Sequence, residues 1–202
     1  MLVVGLGNPG ARYSGSPHNV GFRVLDRLAE HLNAEPPRVA WTERFQAELA
    51  LLRVDASELI LLRPLTFMNA SGTSVKKAMS FFEIPVSDTL VVHDELDLAF
   101  GCVKLKRGGG EAGHHGLESV SAELGSRDYA RCRVGVGKPT QGPLVEYLLT
   151  PLPALRYAEL ESAVDRSCQA IELVAREGFE RAMNQVNRPQ LDGAASGAGR
   201  SD

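Results

Sequence analysis

Short apolar runs alternate with amphipathic stretches along this chain of 202 residues, and that alternation limits the fold more than any other feature. Leu2–Leu6 and Leu90–Val92 are almost wholly apolar, which predicts strands that are buried on both faces. Between them, residues 19–33 place three leucines on one helical face, which predicts an amphipathic helix. Strands that alternate with helices predict an α/β protein with helices on both faces of its sheet.

The same patterns assign the rest of the chain. Residues 45–54 and 58–62 predict an antiparallel hairpin, and therefore a mixed sheet. Residues 34–45 contain prolines and are expected to form a loop. One domain is expected over 1–189, followed by a disordered tail over 190–202 that is rich in Gly, Ala and Ser. The other predicted elements are helices over 69–82, 116–125, 143–149 and 154–186, and strands over 102–106 and 131–136.

The first apolar run continues into Gly5-Leu6-Gly7-Asn8-Pro9-Gly10, which has the G-x-G-x-x-G spacing of a dinucleotide-binding loop. In such a loop the last glycine opens a helix whose N-terminus holds the pyrophosphate. Here Gly15 and Pro17 oppose an immediate helix, and Asp26 lies inside the amphipathic helix instead of after a second strand. The context therefore argues against an NAD-binding enzyme. We expect the glycines to form a tight turn that presents Asn8 at the carboxyl edge of the sheet.

Charge and cysteine content narrow the functional classes. The net charge of −3 gives no overall basic field, so nucleic-acid binding would need a local basic patch. Basic residues are concentrated at Lys104–Arg107, beside three glycines, where Lys104 and Arg107 are candidates for phosphate contacts. The three cysteines lack a C-x-x-C spacing and are expected to be reduced, buried thiols. Since no apolar run is long enough for a membrane span or a signal peptide, we expect a soluble, cytoplasmic protein.

Polar side chains occur where predicted strands end or predicted helices begin. A helix N-terminus lowers the pKa of a histidine such as His18, and a carboxylate such as Asp94 would offset this and fix the tautomer. A histidine and a carboxylate without an obvious nucleophilic side chain suggest a base that activates water. Asn8 and Asn69 could then position the substrate or stabilise an oxyanion. Adjacent histidines at 114 and 115 have no metal-ligand spacing, so we expect no metal. The stretches that place polar side chains at predicted strand ends or helix starts are Asn8, Pro17–Asn19, Thr66–Asn69 and His93–Glu95.

In their order and spacing, these stretches resemble bacterial peptidyl-tRNA hydrolase over nearly the whole chain, from residue 3 to about residue 187. The resemblance implies a single-domain α/β/α sandwich with a mixed, mostly parallel twisted sheet. It also implies a monomer without cofactor or metal that hydrolyses the ester between a peptide and the 3′-terminal ribose of tRNA. The matching segments are VVGLGNPGARY, PHNVGF, LLRPLTFMNASGTSV, VVHDELDLAFGCVKLKRGGG, GHHGLESV, RVGVGKP and AMNQVN.

The resemblance implies roles for individual residues. His18 is the expected general base, Asp94 stabilises its basic form, and Asn8 distinguishes N-blocked from free aminoacyl-tRNA. Asn69 is expected to contact the substrate; on chemical grounds, either Asn69 or nearby N–H groups could donate to the oxyanion. The further positions expected to contact the acceptor end of the tRNA or the peptide are Tyr13, Phe67, Met68 and His115.

The chain departs from the family's pattern at His115, where the family usually has an asparagine that contacts the substrate. An imidazole can replace one hydrogen bond of that amide but cannot present an oxygen and an NH2 group side by side. Ser16-Pro17 replaces a Thr-Arg pair, and Lys138 replaces a histidine. Two functions therefore stay open besides the disfavoured NAD enzyme, namely a hydrolase and a tRNA-binding module of the same fold without turnover.

Overall fold

The computed structural model of this chain describes residues 1–32 and 40–188. These residues contain seven strands, all in one sheet. The strands are β1 (Leu2–Gly5), β2 (Thr42–Arg44), β3 (Ala47–Val54), β4 (Ser57–Pro64), β5 (Thr89–Glu95), β6 (Val103–Arg107) and β7 (Ala130–Gly135). They are ordered β2-β3-β4-β1-β5-β7-β6 across the sheet.

The centre of the sheet is parallel and both edges are antiparallel. β1 pairs in parallel with β4 on one side and β5 on the other, and β5 pairs in parallel with β7. The β2–β3, β3–β4 and β6–β7 pairs are antiparallel. The carboxyl ends of four parallel strands therefore meet at one edge, where ligands of open α/β sheets usually bind.

Helices cover both faces of the sheet, which confirms the predicted α/β/α sandwich. Side chains of β1 alternate between two cores: Val3 packs on one face and Leu2 and Val4 on the other. The helices are α1 (Val20–Leu32), α2 (Ser71–Phe82), α3 (His115–Leu124), α4 (Leu144–Leu149), α5 (Ala154–Glu177) and α6 (Phe179–Val186). The first core is completed by α1, α5 and α6, and the second by α2 and α3.

Two element predictions were wrong. Within the predicted loop 34–45, Thr42–Arg44 form β2, an exposed edge strand whose polar and charged residues carry no apolar alternation. The predicted helix 154–186 is divided at Gly178, whose φ of 83° cannot continue a right-handed helix. Residues 33–39 and the predicted tail 190–202 lie outside the described residues.

Cysteine burial and helix hydropathy bear on two other expectations. Cys132 and Cys168 are free and buried as predicted, whereas Cys102 is free but only half-buried. Within the described ranges, none of the helices combines the length and the apolar character that crossing a membrane requires.

Candidate active site

A cavity of about 600 Å³ opens at the carboxyl edge of the sheet. Asn8 reaches it from the turn after β1, and His18 from a 3-10 turn that directly precedes α1. Asp94 lies within β5, beside both. Met68 and Asn69 occupy a 3-10 turn that directly precedes α2. The structure thus brings together all four residues predicted to be catalytic.

His18 and Asp94 form a buried hydrogen-bonded pair. The distance between His18 Nδ1 and Asp94 Oδ1 is 2.8 Å. Because a carboxylate only accepts hydrogen bonds, the proton of neutral His18 lies on Nδ1. Nε2 is therefore the basic nitrogen, and it has no hydrogen-bond partner among the described residues. This is the tautomer that a general base in this cavity needs.

His114 is a second imidazole on the same carboxylate oxygen, and the sequence analysis did not assign it a role. Its Nε2 lies 3.0 Å from Asp94 Oδ1. Its Nδ1 accepts from the backbone N–H groups of Gly116 (3.1 Å) and Leu117 (3.3 Å), so that His114 caps α3. The capping bonds fix neutral His114 with its proton on Nε2, which donates to Asp94. His114 lies two positions before the predicted helix 116–125, and this was the available signal.

Charge and burial act in opposite directions on these groups. Burial alone raises the pKa of the Asp94 carboxyl, but attraction to His114 and His18 and their hydrogen bonds lower it well below its usual range. Burial alone lowers the pKa of His18, but the charge and hydrogen bond of Asp94 raise it above its ordinary value. Asp94 therefore more than offsets the lowering of the His18 pKa by burial.

His93 supports this arrangement as a neutral residue. Its Nδ1 donates to the backbone oxygen of Asp94 at 2.7 Å, and its ring meets His114 edge to face at 5.2 Å between centroids. Burial, reinforced by the neighbouring His114, lowers the pKa of His93 to about 3. His93 thus packs against His114 without adding a charge to the site.

A metal ion could in principle bind at the cluster of His18, Asp94 and His114, whose ligand atoms lie within 4.8 Å of one another. To bind through Nε2, neutral His114 would have to move its proton to Nδ1. That atom faces the two N–H donors of α3, so the proton would displace the helix cap. The donor geometry fits a hydrogen-bonded triad better than a metal centre.

The Asn8 amide has a fixed orientation. Its Oδ1 accepts from the backbone N–H of Met68 at 2.9 Å, which leaves Nδ2 as its available donor. Asn19 holds the Asn8 backbone from the other side, because its amide bonds both the N–H and the C=O of Asn8 at 2.9 Å. Asn19 was missed as a separate residue, although it belongs to the stretch Pro17–Asn19 that the sequence analysis singled out.

The predicted binding residues divide into two groups. Met68 is buried in the cavity wall, whereas Asn69 and Phe67 are exposed at its rim, Phe67 to 61%. His115 also lies at the rim, and its Nδ1 is 3.0 Å from Glu118 Oε2. Tyr13 lies in the 3-10 turn after β1 and is not among the lining residues.

Lys104 and Arg107 lie on β6 at the edge of the sheet, away from the lining residues. Lys104 Nζ donates to the backbone oxygen of Asn187 at 2.9 Å. The Arg107 guanidinium lies over the Phe179 ring at 4.6 Å and forms an ion pair with Glu180 at 3.5 Å. Both cations therefore already have partners within the protein.

The opposite wall of the cavity is apolar. It is formed by Leu96 and by the leucines and valine of α4, of which Val145 is 68% exposed. Among the described residues that line the cavity, Lys138 is the only lysine or arginine, and its Nζ pairs with Asp97 Oδ1 at 2.6 Å. The cavity thus combines a polar floor with an apolar side wall, the usual composition of a small-ligand site.

Comparisons with known proteins agree with this geometry. The profile of the family described as peptidyl-tRNA hydrolase matches residues 2–194. The peptidyl-tRNA hydrolase of Sorangium cellulosum is 43% identical, over 98% of this chain and 89% of its own length. The enzyme of that name from Nocardia farcinica is 44% identical, over 92% of this chain and 95% of its own. A crystal structure of peptidyl-tRNA hydrolase from Acinetobacter baumannii superposes with a TM-score of 0.84 at 31% identity, covering 92% of this chain and 93% of the other.

Proposed function

The chain belongs to the peptidyl-tRNA hydrolase family, and we propose that His18, oriented by Asp94, is the base of its reaction. The reaction is the hydrolysis of the ester that joins a peptide to tRNA, which releases free tRNA for translation. The observation that carries the proposal is the 2.8 Å contact between His18 Nδ1 and Asp94 Oδ1 inside the cavity. It leaves Nε2 of His18 free to take a proton.

Water is the nucleophile in this proposal. The described residues that line the cavity include no serine, threonine or cysteine. His18 Nε2 takes a proton from water as the water oxygen bonds to the ester carbon, and the imidazolium that forms is stabilised by Asp94. When the bond from carbon to the ribose oxygen breaks, that proton passes to the ribose oxygen. The peptide leaves as a carboxylic acid, which then ionises in water.

Asn69 and Asn8 serve different steps. Asn69 is exposed at the rim of the cavity, and its amide is a candidate donor to the oxyanion. Asn8 presents Nδ2, because its oxygen is occupied by the Met68 N–H. A peptide carbonyl can accept from Nδ2, whereas the ammonium of a free aminoacyl ester is itself only a donor. This mismatch favours N-blocked substrates over unblocked ones.

The binding residues are assigned by where they lie. Phe67, Met68 and His115 contact the terminal nucleotide or the peptide at the cavity, and Tyr13 contacts the acceptor end beside it. Lys104 and Arg107 contact phosphates farther along the tRNA. A monomer without cofactor is part of the proposal because the resemblance implies it, and a role in translation supports the cytoplasm as its compartment.

The proposal is tested by measuring the hydrolysis of N-acetyl-aminoacyl-tRNA, which releases free tRNA, by the wild type and by His18→Ala. Loss of the base should lower kcat by about 100- to 10,000-fold with the fold intact. The matched control is His31→Ala, which removes an exposed histidine at the end of α1 and should leave the rate unchanged. Near wild-type turnover by His18→Ala would show that another group is the base.

Unblocked aminoacyl-tRNA is the specificity control for the same assay. Hydrolysis of the blocked substrate alone supports the role of Asn8. Wild-type protein that binds tRNA but hydrolyses neither substrate would instead support an RNA-binding module without turnover.

A further inference from the structure

Arg131 is a buried cation whose hydrogen-bond partners are neutral. It lies on β7 and is 3% exposed. Its Nη1 donates to the backbone oxygen of Gly110 at 2.7 Å, and its Nη2 donates to that of Gly109 at 2.6 Å. In the described part of the chain no carboxylate pairs with it, and its buried Nε has no partner. The guanidinium also lies 4.8 Å from the centre of the Tyr129 ring, which offsets only part of the cost of burying a charge without a carboxylate, so this arrangement calls for a reason beyond packing.

The two carbonyls belong to a glycine-rich loop in which Glu111 also pairs with Arg127, at 2.6 Å. Gly109, Gly110, Ala112 and Gly113 are all exposed. Gly109 has a φ of 100°, a conformation that glycine adopts readily and other residues rarely do. Ordering such a glycine-rich loop loses much backbone entropy. A planar guanidinium that binds two successive carbonyls opposes that loss more rigidly than single contacts do.

The loop leads directly to the site. Four residues after Gly110 comes His114, whose backbone N–H donates to Glu111 O at 2.8 Å within the same loop. His114 then contacts Asp94 and caps α3. A shift of the two glycine carbonyls would therefore move the imidazole that shares the Asp94 oxygen with His18.

We propose that Arg131 is a positioning residue for the hydrolysis: it clamps Gly109 and Gly110 so that His114 stays on Asp94 beside His18. The clamp acts through His114 and does not touch the substrate. Its effect on rate rests on the proposed role of His18 as the base, whereas its effect on His114 does not.

Arg131→Lys is the decisive variant, because it keeps the charge but cannot bind both carbonyls at once. We expect kcat to fall by about 10- to 100-fold as the site loses alignment, with KM changed by less than about twofold. Once His114 leaves, Asp94 is bonded to His18 alone. The acid limb of the pH profile of kcat/KM should therefore move to higher pH by about half a unit.

A double variant distinguishes positioning from general destabilisation. His114→Asn should move the acid limb in the same direction, because asparagine can cap α3 but is too short to keep the contact with Asp94. If Arg131 acts through His114, then Arg131→Lys in that background should move the limb no further. Arg53→Lys, on exposed Arg53 of β3, is the matched control and should match the wild type.

Should Arg131→Lys fail to fold, Gly109→Ala displaces the loop while the arginine stays in the chain. The φ of 100° at this position is unfavourable for alanine, so the loop backbone must shift. The added Cβ would also lie 2.8 Å from Lys106 Nζ, but that flexible side chain can move away. It should reproduce the direction of the pH shift.

The ring nitrogens of His114, followed by 15N NMR without substrate, report on the clamp independently of turnover. The wild type should show the single Nε2–H tautomer, and Arg131→Lys and Gly109→Ala should show a mixture. An unmoved acid limb together with an unchanged His114 tautomer would overturn the proposal, even if stability or kcat falls. A fully active His18→Ala would refute the base instead, and the His114 signals would still decide the clamp.

Discussion

Asp94→Asn removes a charge from the site and little else. Both imidazoles donate to the same oxygen, Oδ1, at 2.8 Å from His18 and 3.0 Å from His114. An amide whose oxygen takes that position can accept both hydrogen bonds. What disappears is the attraction between the carboxylate and the imidazolium form of His18, which raises the pKa of that residue.

The size of the effect follows from the contact. An opposite charge at hydrogen-bond distance shifts a pKa by about 1–3 units, or about 1.4–4 kcal/mol. The pKa of His18 should therefore fall by that amount, and the acid limb of kcat/KM should move to lower pH by about 1–3 units. The plateau above the limb should fall too, because the imidazolium that forms in the transition state loses the same partner. The proton is only partly transferred to His18 in the transition state. The plateau should therefore fall by less than tenfold for each pH unit by which the acid limb moves.

The assay is the hydrolysis of N-acetyl-aminoacyl-tRNA, with kcat/KM measured from the pH of the plateau down through the acid limb. At pH values below both acid limbs, kcat/KM of the Asp94→Asn variant should equal or exceed that of the wild type, although it is lower on the plateau. Asp97→Asn is the matched control, because Asp97 is an exposed carboxylate at the rim of the same cavity and pairs with Lys138. Its limb should stay in place. A limb of Asp94→Asn that stays at the wild-type pH, or moves upward, would refute the pairing.

Three further outcomes are expected. His114→Asn alone should move the acid limb upward by about half a unit, opposite to Asp94→Asn, and a downward shift would contradict the shared oxygen. Gly21→Ala should destabilise the fold by about 1–3 kcal/mol in urea unfolding, because its Cβ would lie 2.4 Å from Leu6 N; an unchanged midpoint would contradict that close packing. Lys104→Ala should weaken tRNA binding more at low salt than at high salt, and a salt-independent loss would speak against a phosphate contact.

The central elements were predictable because each carries its own periodic signal. β1 is apolar over Leu2–Val4, β5 contains the apolar run Leu90–Val92, and α1 repeats its leucines on one face. β2 carries no such signal, since its three residues are exposed and two of them are charged. The end of α5 was missed because a glycine inside a helical pattern does not reveal its φ.

Within the site, sequence reasoning found the residues that lie next to strand ends or helix starts. It anticipated the pairing of His18 with Asp94, but it missed two other contacts because nothing in the sequence shows what His114 and Asn19 face. His114 reaches Asp94 across 20 positions, and Asn19 reaches Asn8 across 11. The charge pattern predicted the surroundings of the basic residues least well. The basic stretch on β6 was visible in the sequence, but the partner of Lys104 in the C-terminal part of the chain was not.

Gly5, the first glycine of the dinucleotide-like motif, allows two elements to pack closely, and this packing explains why His18 meets Asp94. A Cβ at Gly5 would lie 2.4 Å from the carbonyl oxygen of Gly21, and one at Gly21 would lie 2.6 Å from that of Val92. The first turn of α1 therefore lies directly against β1 and β5. Gly21 follows His18 by three positions and Val92 precedes Asp94 by two, so this close approach brings base and carboxylate to 2.8 Å. Of the three glycines with the spacing of a pyrophosphate-binding loop, Gly5 therefore serves the close packing on which the distance for the proposed proton transfer depends.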